Sequence, residues 1–187
     1  MLLFAILLLV GCESKDEITT PVVLKSQITM DDLDNMHFTM KSILENDSNA
    51  TRSEDLFNDT LKCKMIINPL IEDGKNIQSQ LIRQKGKMSA DELEFFESMD
   101  ENELAILSLL TIYTSTENLS AQTRSVDMGR LTSCLGVAIG LSAISELRVG
   151  GVISAKTVGR AVMAIAKRYA GYIGVALMVY DFYDCFY

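Results

Sequence analysis

The stretch that decides the fold is "MSADELEFFESMDENELAIL", residues 88 to 107. It holds two helix starts of the same kind within twenty residues. Ser89 precedes Glu92 by three, so each side chain is spaced to bond the other's backbone N–H, the capping-box arrangement. Met88 and Leu93 flank that box at the positions of a hydrophobic staple. Asp100 and Glu103 repeat the pattern, with Met99 and Leu104 outside them. Both starts run into apolar residues, so this region reads as helix, tight break, helix.

Working back, the same grammar recurs. Thr29 precedes Asp32 by three, with Ile28 and Leu33 as the staple pair. Met30, Leu33, Met36, Met40, Ile43 and Leu44 then follow a helical period. Asn68-Pro69 reads as a further start, because proline suits the first helical turn. Helices are expected near 30–46, 53–66, 69–84, 90–98 and 101–115, with Gly74 and Gly86 weakening or ending the third. The fold class is therefore all-α, a small helical bundle.

Charge divides the chain. Residues 13 to 127 hold 11 Lys/Arg against 22 Asp/Glu, whereas residues 128 to 187 hold 6 against 3. The total of −8 argues against nucleic acid as a partner, which needs a basic face. Acids cluster at Asp91, Glu92, Glu94, Glu97, Asp100, Glu101 and Glu103, and nothing singles out two of them as a catalytic pair. Helix starts account for them more simply, since acids stabilise the positive end of the helix dipole. No EF-hand spacing, Cys/His cluster or Gly-x-Ser-x-Gly elbow occurs. His37, the one histidine, has no second histidine with which to share a metal. No enzyme activity, metal or cofactor is expected.

The last sixty residues change character. "LTSCLGVAIGLSAIS", 131 to 145, is free of charged side chains, and "VGGV" at 149 to 152 reads as a break. Ser154 is placed to cap a second, longer helix that can bend near Gly171. The expectation is an apolar helical hairpin over 127–187. Small residues recur four apart at Gly136 and Gly140, then at Ala166, Ala170 and Gly174, a spacing that lets helix backbones approach closely. Lys156, Arg160, Lys167 and Arg168 give the second helix a cationic side suited to a membrane surface or a partner helix.

The beginning of the chain is a different kind of signal. Leu2 to Val10 is apolar throughout, too short for a span of roughly 20 residues and of signal-peptide length. Gly11 and Cys12 follow. Leu9-Val10-Gly11-Cys12 resembles the lipobox of bacterial lipoproteins. In that family the cysteine sulfur takes a diacylglyceryl group, the peptide is cut before it, and the new amino group is acylated. No Lys or Arg precedes the apolar run, which departs from the family's pattern. Ser14-Lys15-Asp16-Glu17 resembles the surface-export signal of Bacteroidota lipoproteins, and Asp59-Thr60-Leu61 the O-glycosylation acceptor of their secreted proteins. The resemblance implies a signal peptide at 1–11, a lipidated flexible tether at 12–27 and an outer-membrane location in the cell envelope, and the export motif implies exposure at the surface.

With Cys12 used for lipid, Cys63, Cys134 and Cys185 remain. One pair and one free thiol is the natural outcome, and Cys134 with Cys185 brackets the tail. Closing that loop contributes roughly 2–4 kcal/mol, provided the second helix bends enough for its end to return. The tail as a whole resembles Gly/Ala-rich helical bacteriocin-like tails. Two functions stand open. One is a non-enzymatic envelope lipoprotein that binds or supports, with an acidic helical region at 28–126 and the hairpin as its core. The other is a membrane-active toxin precursor, whose cationic tail permeabilises target membranes. The membrane is a partner through the N-terminal lipid in either case.

Overall fold

The expected helix starts at Thr29, Ser89, Asp100 and Ser154 form as hydrogen-bonded caps. The computed structural model describes residue 22 and residues 24–46, 60–114, 133–134, 136–138 and 154–186. It is all-α, with six α-helices and a 3₁₀ turn and no strand among the described residues. Thr29 and Asp32 exchange bonds ahead of α1 (Met30–Asn46), with Thr29 N–H donating to Asp32 Oδ2 at 2.8 Å and Asp32 N–H to Thr29 Oγ1 at 3.2 Å. Helix α2 spans Thr60–Arg83 and ends in the turn Lys85–Lys87. Ser89 and Glu92 complete the capping box of α3 (Ala90–Glu97). Asp100 and Glu103 do the same for α4 (Glu101–Thr114). Ser154 Oγ accepts from Thr157 N–H at the start of α5 (Ala155–Arg168), and α6 follows at Gly171–Phe186.

Helix α4 is the axis of the molecule. Every residue from Leu104 to Tyr113 is buried, so it has no solvent face. A helix that is apolar all round has to be surrounded. Helix α2 packs along it most extensively, and α5 and α6 cover it further. Helix α3 lies against α2 and α5, while α1 sits on α2 and α6. The core is one connected cluster. It takes Leu33, Met36 and Met40 from α1, Ile67, Leu70 and Ile77 from α2, Val158 and Val162 from α5, and Val175, Val179 and Phe182 from α6.

Three expectations change. The pair of helices at 53–66 and 69–84 is one helix from 60 to 83, and 53–59 lies outside the described residues. Pro69 sits inside it on an exposed position, where the carbonyl it leaves without a helical donor can meet water. Gly74 does not interrupt α2 either. A Cβ at Gly74 would stand 2.1 Å from the backbone oxygen of Leu104, so glycine is what lets α2 rest directly on the backbone of α4. The segment up to residue 27 is not wholly a loose tether, since Val22 and Leu24 are buried against the core.

Helices α5 and α6 are not one long bent helix. They break at Tyr169–Ala170 and meet at 101°. Gly171 takes φ +73°, the left-handed conformation that costs glycine least. Gly174 fits under the break, because a Cβ there would come within 2.6 Å of Tyr169 C. That bend is the condition on which the pairing of Cys134 with Cys185 rested. The two are joined, with their Cα atoms 5.4 Å apart, and Cys63 is buried outside that bond.

Gly74→Ala tests the backbone contact. In an exposed helix interior this change would stabilise by up to about 1 kcal/mol. Here the added methyl meets backbone, and overpacking of that kind costs about 3 kcal/mol. Gly86→Ala, which meets nothing within 4 Å, is the control. Urea unfolding should show a large loss for the first and almost none for the second.

Candidate functional site

The most unusual group in the core is a carboxylate. Asp73 lies on α2 one residue before the Gly74 contact and is only 3% exposed. Among the described residues no Lys or Arg pairs with it. It is held instead by three donors: Ser26 Oγ at 2.7 Å, the Gln27 backbone N–H at 2.7 Å and Ser108 Oγ of α4 at 2.6 Å. Ser26 Oγ in turn accepts from Ile28 N–H at 3.1 Å. A buried charge is tolerable when hydrogen bonds replace its lost hydration.

Two turns further along the same face of α2, Gln80 grips the same segment. Lys25 N–H donates to Gln80 Oε1 at 3.0 Å, and Gln80 Nε2 donates to Lys25 O at 2.8 Å. Asp73 and Gln80, seven residues apart, thus hold the extended chain of Lys25–Gln27 as a neighbouring strand would. Val22 and Leu24 add apolar burial at its start. This is a latch between the incoming chain, α2 and α4. Sequence reading did not single out Asp73. The available signal was its place on the apolar arc of Leu70, Ile71, Gly74, Ile77 and Leu81, where a solvated acid has no reason to be.

A second polar cluster ties α2, α4 and α6 together nearer the surface. Lys64 Nζ lies 2.6 Å from Glu101 Oε2, and Tyr172 OH donates to the same oxygen. Lys64 also stands over the Tyr172 ring, 5.2 Å from its centroid. The bond from Lys64, then that from Tyr172, lowers the Glu101 carboxyl below its ordinary value, and Glu101 correspondingly raises Lys64. On α6, burial and then neighbouring Asp184 raise Asp181, with Arg168 acting against them. The Lys64–Glu101 contact is an ion pair. Among the described residues no group of three His, Cys, Asp or Glu is placed to hold a metal.

The residues singled out from sequence fall as follows. Cys12 and the Ser14–Glu17 segment lie outside the described residues, as do Gly140 and the expected break at 149–152. Lys156 is half-buried, whereas Arg160, Lys167 and Arg168 are exposed on the outer side of α5. Arg168 packs over the Tyr169 ring at 5.2 Å. Of the small residues spaced four apart, Gly136 and Ala166 are half-buried, Ala170 is exposed in the break, and Gly174 makes a close backbone approach. The close approaches occur at Gly74, at Gly174 and, less tightly, at Gly159, where a Cβ would lie 3.4 Å from the Phe95 ring. His37 stacks on Tyr183 at 4.7 Å, a packing role. Thr60 is exposed at the start of α2.

Comparison of the chain with protein-family models, with curated proteins and with solved structures finds no match.

Removing the Asp73 carboxylate should open the latch. Asp73→Ala strands two hydroxyls and an N–H, at about 3 kcal/mol by the usual cost of losing charged hydrogen bonds. Trypsin should then cut after Lys25 much faster than in the parent chain; equal cutting rates would contradict the latch. The Glu101 cluster makes a separate prediction. A carboxyl lowered by folding contributes stability that is present above its unfolded value of 4.5 and lost as pH falls through its folded value. Asp181, raised by folding, works in the opposite sense. Glu101→Gln should therefore reduce the acid-induced fall in Tm between neutral pH and about pH 3.

Proposed function

We propose that this chain is a non-enzymatic bacterial envelope lipoprotein, anchored by acyl groups on Cys12, whose helical bundle works as a binding or structural module. Several acyl chains, at about 0.8 kcal/mol per buried methylene, make a stable anchor. The chain after the anchor is short, and it is received by a dedicated latch on the bundle. The observation that carries the choice between the two open readings is the burial of the tail. Val158, Ala161, Val162 and Ile165 of α5, and Val175, Val179 and Phe182 of α6, belong to the same core as α2 and α4. The Cys134–Cys185 bond ties the end of α6 to a segment before α5. A toxin reading would require those apolar faces to leave the core. No single helix among the described residues is long and apolar enough to cross a membrane. The α5–α6 pair has the joint length and hydropathy of a span but is sharply bent. An outer-membrane, surface-exposed address remains part of the proposal and rests on the residues after Cys12.

Fractionation tests the anchor. In cells, Cys12→Ser should move the protein out of the membrane fraction after a high-salt wash; a variant retained as firmly as the parent contradicts lipidation. Added to dye-loaded liposomes, the oxidised protein should release no dye, and rapid release would favour the toxin.

A further inference from the structure

Helix α5 carries a cationic stripe on its outer side. Taking 100° per residue, Lys156, Arg160, Met163 and Lys167 fall within an arc of about 60°, opposite the buried Val158, Ala161, Val162 and Ile165. The stripe runs about 17 Å along the helix. Helix α5 contains no acidic residue, in a chain whose net charge is −8. Among the described residues neither Arg160 nor Lys167 enters an ion pair. Arg168 lies off the arc, packs over Tyr169 and acts on Asp181, so it is not counted in the stripe. Met163 is 40% exposed between the cations, and Ala164 beside it is exposed as well.

We propose that the exposed part of this stripe, Arg160 and Lys167 with Met163 between them, is a docking surface for an anionic phospholipid bilayer. The observations favour that partner on three grounds. The stripe is straight and convex, lying on a helix rather than in a groove, so a plane can meet Arg160 and Lys167 together. A flexible, unbranched methionine at its centre offers apolar atoms to the acyl boundary, where an acidic peptide has no use for them. The third ground rests on the lipoprotein reading. The latch begins at Val22, ten residues after Cys12, so the bundle cannot stray more than about 35 Å from the anchored cysteine. Such confinement turns individually weak contacts into an effectively intramolecular one. Each Lys or Arg near an anionic surface contributes a modest, salt-sensitive attraction. Docking would set the bundle's orientation on the membrane.

The test uses residues 12–187 with Cys12→Ser, which keep every residue of the described core and carry no acyl group. Its outcome is therefore independent of lipidation, which the fractionation experiment reads separately. Co-sedimentation is measured with phosphatidylcholine vesicles, with and without phosphatidylglycerol. Expected is binding only when phosphatidylglycerol is present, abolished by high salt. Arg160→Gln/Lys167→Gln should weaken it roughly 30-fold, at the usual increment per lost charge, with an unchanged circular-dichroism melt. Equal binding to both vesicles, or no effect of the double variant, would overturn the proposal. So would absence from vesicles together with retention on a polyglutamate column, which would assign the stripe to an acidic protein.

Discussion

The backbone of Gly74 lies against the carbonyl of Leu104, and much of the remaining architecture follows from how near that brings α2 to α4. A side chain at position 74 would push the helices apart. With them in contact, Asp73, one residue away, falls into the narrow space between α2 and α4, where Ser108 reaches it. The carboxylate there needs further donors, because a buried charge with one hydrogen bond is costly. The Ser26 hydroxyl and the Gln27 N–H supply them. A close helix contact, a buried charge and the docking of a distant segment are thus one coupled arrangement.

That coupling bears on what the molecule is for. Helix α4, buried along its length from Leu104 to Tyr113, is covered by α5 and α6 as well as by α2. The acidic and cationic parts of the chain therefore meet in a shared interior, despite their opposite charge. Their polar surfaces stay distinct. Acids crowd the starts of α3 and α4, where they cap, while the cations of α5 face outward. Under the proposed lipoprotein function, a bundle held close to its anchor would have a use for such asymmetry, since one face could meet anionic lipid while the acidic remainder stays solvated.

Features written in neighbouring residues were readable in advance. Ser89 with Glu92, Asp100 with Glu103 and Thr29 with Asp32 each bond over three residues, so their chemistry is complete within a short window. The joining of Cys134 to Cys185 was readable for a different reason: few cysteines remained, and Gly171 offered the bend that returns one to the other. Gly74, read as a weak point, and Pro69, read as a helix start, misled because tertiary context overrode their local meaning. One is needed for a close approach, and the other faces water. Asp73 was invisible among 25 acids because its partners lie 35 and 47 residues away.

The central claim is that α2, α4 and α6 form one cooperative interior with the disulfide intact. Native-state hydrogen exchange, followed peptide by peptide, tests it most directly, because segments that open together exchange with the same free energy. Amides in the middles of α2, α4 and α6 are expected to share the highest protection and to lose it in parallel as denaturant is raised. If α5 and α6 instead exchange far faster than α2 and α4 under native conditions, the C-terminal helices are a detachable unit, and the shared core is contradicted.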